Sequence, residues 1–301
     1  MKKFSLSVFF TLLSSFFVFG QQSKSSVILE RPVNIFNRFQ YFSPYGDWKN
    51  SPSRFENNKK YDLKIDEKAE AVLKRAVEKL GGEKYLQVKS TVGRGRFSIL
   101  RDGVIISFQS FVDVIVYPDK ERTEFKQAGA KNVQTNTGET GWVFDGAAQN
   151  LGEQTKEQIE NFKRSVRTSL DNLLRGHWRG KAALSYTGKR EAGIGRRNDV
   201  VKLVFADSFM VEFEFSATDG LPMKAIYKRL NPDNEEVKEE DRYAQFIDVQ
   251  AIKTPFIVDH FTNNVQTSRI NYESIEFNKA ISDAIFKKPN SAKELKKDLK
   301  F

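Results

Sequence analysis

The chain of 301 residues contains no cysteine, only two histidines, three methionines and three tryptophans. Without cysteine there can be no disulfide, no thiol nucleophile, no cysteine-ligated zinc and no acylated cysteine of a bacterial lipoprotein. Stability must then come from a packed core, which a chain of this length can build. His177 and His260 are far apart, and neither His-x-x-x-His nor Gly-x-Ser-x-Gly occurs, so catalytic signals are poor. Gly193-Ile194-Gly195-Arg196 lacks the third glycine of a dinucleotide fingerprint and reads as a turn. No cofactor, no metal site and no enzymatic activity are expected.

Long apolar runs are also scarce. One follows Lys2 and Lys3, from Phe4 to Phe19, with Val18 and Gly20 at the small positions of a cleavage site. Residues 1–20 therefore read as a secretory signal cleaved near Gly20. Nothing later approaches the roughly 20 apolar residues of a spanning helix. The net charge of +10 favours anionic partners, and for an exported protein membrane head groups or acidic glycans fit better than nucleic acid. Basic and acidic residues are mixed along the chain, so the surplus also serves solubility.

What is present is aromatic alternation. Residues 21–61, rich in Asn, Ser and Pro, read as a linker or loosely docked arm. At Asp66 a helix cap precedes Ala69, Val72, Leu73, Ala76 and Leu80 at helical spacing, and Gly81-Gly82 supplies the exit. Thereafter the period is two. Val104, Ile106, Phe108, Val112, Val114 and Val116 share one strand face, and Phe209, Val211, Phe213 and Phe215 alternate with Met210, Glu212 and Glu214. A dozen strand candidates end with 256–267 and 268–277. An amphipathic helix over 155–175 interrupts them, with Ile159, Phe162 and Val166 on its stripe. One sheet of so many strands must close, split or leave a concave face to be filled.

The order of several short motifs adds a resemblance. Gly81-Gly82, Tyr117-Pro118-Asp119-Lys120-Glu121-Arg122, Gly141-Trp142-Val143-Phe144-Asp145-Gly146, Asp219-Gly220-Leu221-Pro222 and a last strand followed by Ile281, Phe286 and Pro289 resemble the LolA/LolB-like periplasmic lipoprotein carriers, in particular the outer-membrane lipoprotein-sorting branch. The resemblance spans 69–289. It implies an α+β fold, an unclosed antiparallel β-barrel with helices packed in its concave mouth as a lid, over residues 62–289, followed by a basic tail at 290–301. It also implies acyl chains of lipoproteins or lipids as cargo, a periplasmic location, and an inner-membrane donor and outer-membrane acceptor as partners; a monomer is expected. Where the best-known carriers have an arginine before the motif's proline, this chain has Tyr117.

The candidate cavity lining is Phe97, Phe108, Val112, Phe125, Trp142, Phe205, Phe213 and Phe215 on the sheet and Ile159, Phe162 and Val166 on the lid, with Phe162 and Val166 set to meet the Phe213–Phe215 stripe. The alternative from another class is an envelope sensor or interaction module using the same cavity; an enzyme acting on envelope lipids would need a polar cluster inside it.

Overall fold

The computed structural model describes residues 63–231, 233–296 and 299. The expectations for 1–20 and 21–61 lie outside that set. Helix α1 (Glu67–Leu80) is capped by the Asp66 carboxylate, which accepts from the amides of Lys68 and Ala69, and it ends at Gly81 with φ 130°. A Cβ at Gly81 would come within 2.8 Å of the Ala251 carbonyl oxygen, so glycine is required both by conformation and by space. A short α2 (Glu83–Leu86) leads into the sheet.

The sheet has thirteen antiparallel strands in the order β6-β5-β4-β3-β2-β1-β13-β12-β11-β10-β9-β8-β7. These are β1 (Ser90–Arg101), β2 (Val104–Val116), β3 (Lys120–Gln127), β4 (Ala130–Thr137), β5 (Thr140–Asp145), β6 (Asn150–Glu153), β7 (Ala182–Glu191), β8 (Arg197–Phe205), β9 (Met210–Ser216), β10 (Pro222–Leu230), β11 (Glu236–Val249), β12 (Ile252–Thr262) and β13 (Val265–Phe277). The expected break at 267/268 falls instead at Asn263-Asn264, both with positive φ, as a two-residue hairpin turn requires.

β6 and β7 follow one another in sequence but form the two outer edges of the sheet. The sheet is therefore unclosed, and the segment between them must cross its face. That segment carries α3 (Lys156–Thr168) and α4 (Leu170–Leu174). The single helix expected over 155–175 is broken at Ser169, whose backbone is extended (ψ 145°) and whose hydroxyl caps α4 by accepting from the Asn172 amide. The observed architecture is the α+β half-barrel expected from the sequence.

The two faces are covered differently along the sheet. On the concave face of β7–β11, Leu203, Val211, Phe213, Phe215 and Ala225 pack with Ala69, Val72, Leu73, Ala76 and Leu80 of α1, with Leu173 and Leu174 of α4, and with Trp178. On the convex face of β1–β5 a segment after β13 supplies the cover. Phe286 packs with Val92 and Val114, and Leu295 packs with Val133, Trp142 and Phe144. The tail at 290–301 is thus not wholly a solvated extension, since Leu295 is buried and Leu299 packs on the same side. The convex face of β7–β12 carries charged pairs such as Arg190–Glu212 and Lys224–Glu240, in which the Glu240 carboxylate is covered by the basic side chains around it.

Candidate functional site

Between the centre of the sheet and the α3–α4 crossing lies a cavity of about 190 Å³, measured as room for the centre of a water molecule. One water needs about 10–15 Å³ on that measure, so this is a ligand-sized space and not a packing defect. Its floor is Ile270, Tyr272, Ile275 and Phe277 of β13 with Tyr243, Ile252 and Val258 of β11 and β12; its roof includes Phe162, Val166 and Leu170. Gly93 of β1 makes the floor possible, because a Cβ there would lie 2.6 Å from the Tyr272 ring. Apolar and aromatic walls with a few polar groups fit a ligand whose body is hydrocarbon.

Two polar clusters border this space. At one, Tyr85 of α2 and Tyr117 at the end of β2 both donate to the Asp171 carboxylate of α4, at 2.9 and 3.0 Å. Arg175 pairs with the same carboxylate at 2.9 Å and lies over both tyrosine rings, 4.3 Å from each centroid. Its guanidinium also donates to the carbonyl oxygens of Tyr85 and Val88. Burial and the adjacent Asp171 charge push both tyrosine hydroxyls well above their ordinary range, so both stay protonated and donate to that carboxylate, while the Tyr117 hydroxyl also shares a 3.2 Å hydrogen bond with the Thr91 hydroxyl. Burial disfavours the Arg175 charge, but Asp171 outweighs it and the guanidinium stays ionised. His177 borders the cavity nearby with its Nε2 buried and without a hydrogen-bond partner; burial and then Arg175 lower its pKa, leaving it neutral.

The second cluster lies on β10–β12. His260 Nδ1 is 2.8 Å from Asp241 and Nε2 is 3.1 Å from Glu239, which also pairs with Arg229 at 2.7 Å. Burial alone would lower the His260 pKa, yet the two carboxylates hold it at about 9, so the ring is charged at neutral pH. The carboxylates sit on opposite ring nitrogens and do not converge on one ion. Among the described residues no group of three or more metal-ligating side chains is placed to hold a metal.

A comparison with solved structures bears on this geometry. The chain is similar to a DUF1329 family protein from Desulfovibrio piger, at 14% identity and TM-score 0.52, over 73% of this chain and 97% of that one. It is similar in the same way to a LolA superfamily protein from Nitrosomonas europaea, at 14% identity and TM-score 0.50, again over 73% and 97%. The fold is LolA-like. No family model and no curated protein matches the sequence.

Against that LolA-like frame the predicted lining divides. Phe162 and Val166 line the cavity. Phe97 and Phe125 extend its floor, packed with Phe111 and with Ile270, which reaches the cavity itself. Phe205, Phe213 and Phe215 share the concave face but lie in the core with α1 and α4, so the Phe213–Phe215 stripe is roofed by that core and not by Phe162 and Val166 at the cavity. Ile159 is half-buried in the first turn of α3 and does not border the cavity.

Phe108, Val112 and Trp142 are corrections. The register pairs Gly93 with Asp113 and Gly95 with Phe111, which puts Val112 and Phe108 on the convex side. Val112 packs toward Phe286, and Phe108 is 59% exposed. Trp142 donates its indole N–H to the Phe286 carbonyl oxygen at 2.9 Å, beneath the C-terminal segment. The residues that sequence reasoning missed, Ile270, Tyr272, Ile275 and Phe277, carried a partial signal. Their alternation is interrupted at Glu273, the extra residue of a bulge between the Arg94–Ser274 and Gly95–Tyr272 pairs, and the bulge restores all four to one face.

Proposed function

We propose that this protein is an exported, periplasmic carrier that holds acyl chains of lipoproteins or lipids between sheet and lid while they cross toward the outer membrane. The observation that carries the reading is an apolar cavity on the concave face, roofed by a crossing segment that is fastened beside it through the half-buried carboxylate of Asp171. An acyl chain in water costs about 0.8 kcal/mol per methylene, so passage through an aqueous space needs such a cover. Release then follows from breaking the tyrosine and arginine contacts of Asp171 and swinging α3 and α4 away from the floor. Tyr117 takes the place of the arginine of the best-known carriers, and the arginine of this chain, Arg175, comes from the lid side.

The test is the double substitution Phe162→Asp and Val166→Asp. Two charges in a buried apolar roof exclude hydrocarbon, so the variant is expected to remain folded by circular dichroism while its affinity for fatty acid or lipopeptide drops about tenfold or more. Undiminished binding by the folded variant would refute the assignment. Mass spectrometry of ligands retained by protein taken from its native envelope identifies the cargo.

A further inference from the structure

The β1–β2 hairpin projects beyond the sheet. β13 pairs with β1 only as far as Ile99, and β3 pairs with β2 only from Ser110, so β1 beyond Ile99 and β2 before Ser110 have no strand on their outer side; Gln109 is buried at the base, its amide donating to Gln127 at 2.9 Å. Val104, Ile105, Ile106 and Phe108 in this finger are 63, 54, 51 and 59% exposed. The register slips at Ile106, between the Ile99–Ser107 and Leu100–Ile105 pairs, so Ile105 and Phe108 share one face and Val104 takes the other, leaving the finger apolar on both faces. Val265, Leu230 and Met210, at the ends of β13, β10 and β9, are exposed at the same end of the sheet.

Cations stand directly behind the finger. Ser110 pairs with Arg96 on one side and with Lys126 on the other, which sets the two basic residues in one row across three strands, on the face that carries Phe108. The Arg96 guanidinium lies 5.9 Å from the Phe108 ring centroid, and Arg96 and Lys126 border one shallow concavity with Ile105, Ile106 and Phe108. Phe108 is two residues, about 7 Å, ahead of this row. Surfaces that lie in a bilayer interface bury their apolar groups by about 5–10 Å, with basic groups at the head-group level.

We infer that the β1–β2 finger is a membrane-docking site that takes an anionic lipid surface. A protein groove would cover one face of a strand, whereas a bilayer surrounds both, and Arg96 and Lys126 can turn to phosphate, Arg96 by exchanging its exposed 3.3 Å pair with Glu273. The inference stands apart from the cargo reading, because the finger lies on neither wall of the cavity.

The experiment uses protein recovered from the exporting cell with its native N-terminus, and vesicles of phosphatidylglycerol with phosphatidylcholine or of phosphatidylcholine alone. The wild type is expected to co-sediment with the anionic vesicles and to be released by salt. Ile105→Ser with Ile106→Ser is expected to weaken that association about tenfold by removing apolar burial, with the thermal melt and fatty-acid binding unchanged. Arg96→Gln with Lys126→Gln is expected to remove the preference for anionic vesicles. Absence of wild-type binding, or equal binding by the serine variant, overturns the inference. So does binding that disappears only when residues 21–61 are deleted, or a self-association in solution that the serine variant abolishes without change in vesicle binding. Failure of fatty-acid binding by the wild type bears on the carrier reading alone.

Discussion

The two wings of this sheet use the same alternating strands to opposite ends. In β7–β11 the most deeply buried apolar residues, Val201, Leu203, Val211, Phe213, Phe215 and Ala225, point to the concave side and pack with α1 and α4. In β1–β5 the most deeply buried apolar residues, Val92, Val114 and Val133, point to the convex side and meet the C-terminal segment. The tightest packing thus changes faces along one continuous sheet. Because the convex cover supports the β1–β5 wing, its concave face is released from the duty of being a core, and the cavity lies where that release begins. A container in this fold is made by moving the core to the other side as much as by curving the sheet.

The comparison breaks most readily at Phe213. Replacing it with Ala leaves a cavity in a fully buried site and is expected to cost about 3–5 kcal/mol, whereas Phe162→Ala, at the edge of an existing cavity, is expected to cost less than half of that. Chemical denaturation of the two variants checks the ratio. Equal losses would make the roof part of the cooperative core.

The next effect concerns the seam between the wings, where His260 lies on β12. Its pKa is raised from 6.5 to about 9 on folding, so the folded state binds a proton that the unfolded state releases. The resulting stabilisation is complete below about pH 6.5 and is lost as the pH rises through about 9, amounting to roughly 1–3 kcal/mol. Thermal melts across that window should show the decline, and His260→Gln should remove most of its slope. A wild-type melt that is flat across the window contradicts the ion cluster.

The smallest effect is at the fastening of the lid. Tyr117→Phe keeps the ring beneath Arg175 but deletes the hydrogen bond to Asp171, a loss of about 1 kcal/mol. Amide exchange in α4 should accelerate about fivefold while global stability changes little. Acceleration spread evenly over the β7–β11 core would show that the latch and the core open together.

Much of this was legible in the chain. The Asp66 cap, the apolar spacing of α1 and its Gly81 exit announce the helix, and period two announces the strands, because each of these signals is local. Period two also groups residues correctly: Val112, Val114 and Val116 do share a face. It does not say which face looks inward. In this wing each face carries apolar residues, Phe97, Phe111 and Phe125 on one and Val92, Val112 and Val114 on the other, so Phe108, Val112 and Trp142 carried no mark of belonging outside the cavity. The convex cover comes from residues more than a hundred positions away, as in the Trp142 indole bond to Phe286, and no local pattern encodes it. The bulge at Glu273 hid the cavity floor in the same way, by reversing parity within a strand. Ser169 was a readable cap with a Thr-Ser pair before Leu170, but a continuous apolar stripe concealed it.

The crossing segment has a mechanical meaning. The sheet is a bow and residues 154–181 are its string, tied to β6 at one tip and β7 at the other. A string of fixed length sets how far the bow can flatten, so cargo that lifts α3 from the floor must draw the two tips together or pull on their ties. The tie at β6 is the weaker, because that strand has four residues and pairs on one side only. On the carrier reading, filling the protein would load its outermost strand, and the occupied and empty forms would differ at a sheet edge that touches no ligand.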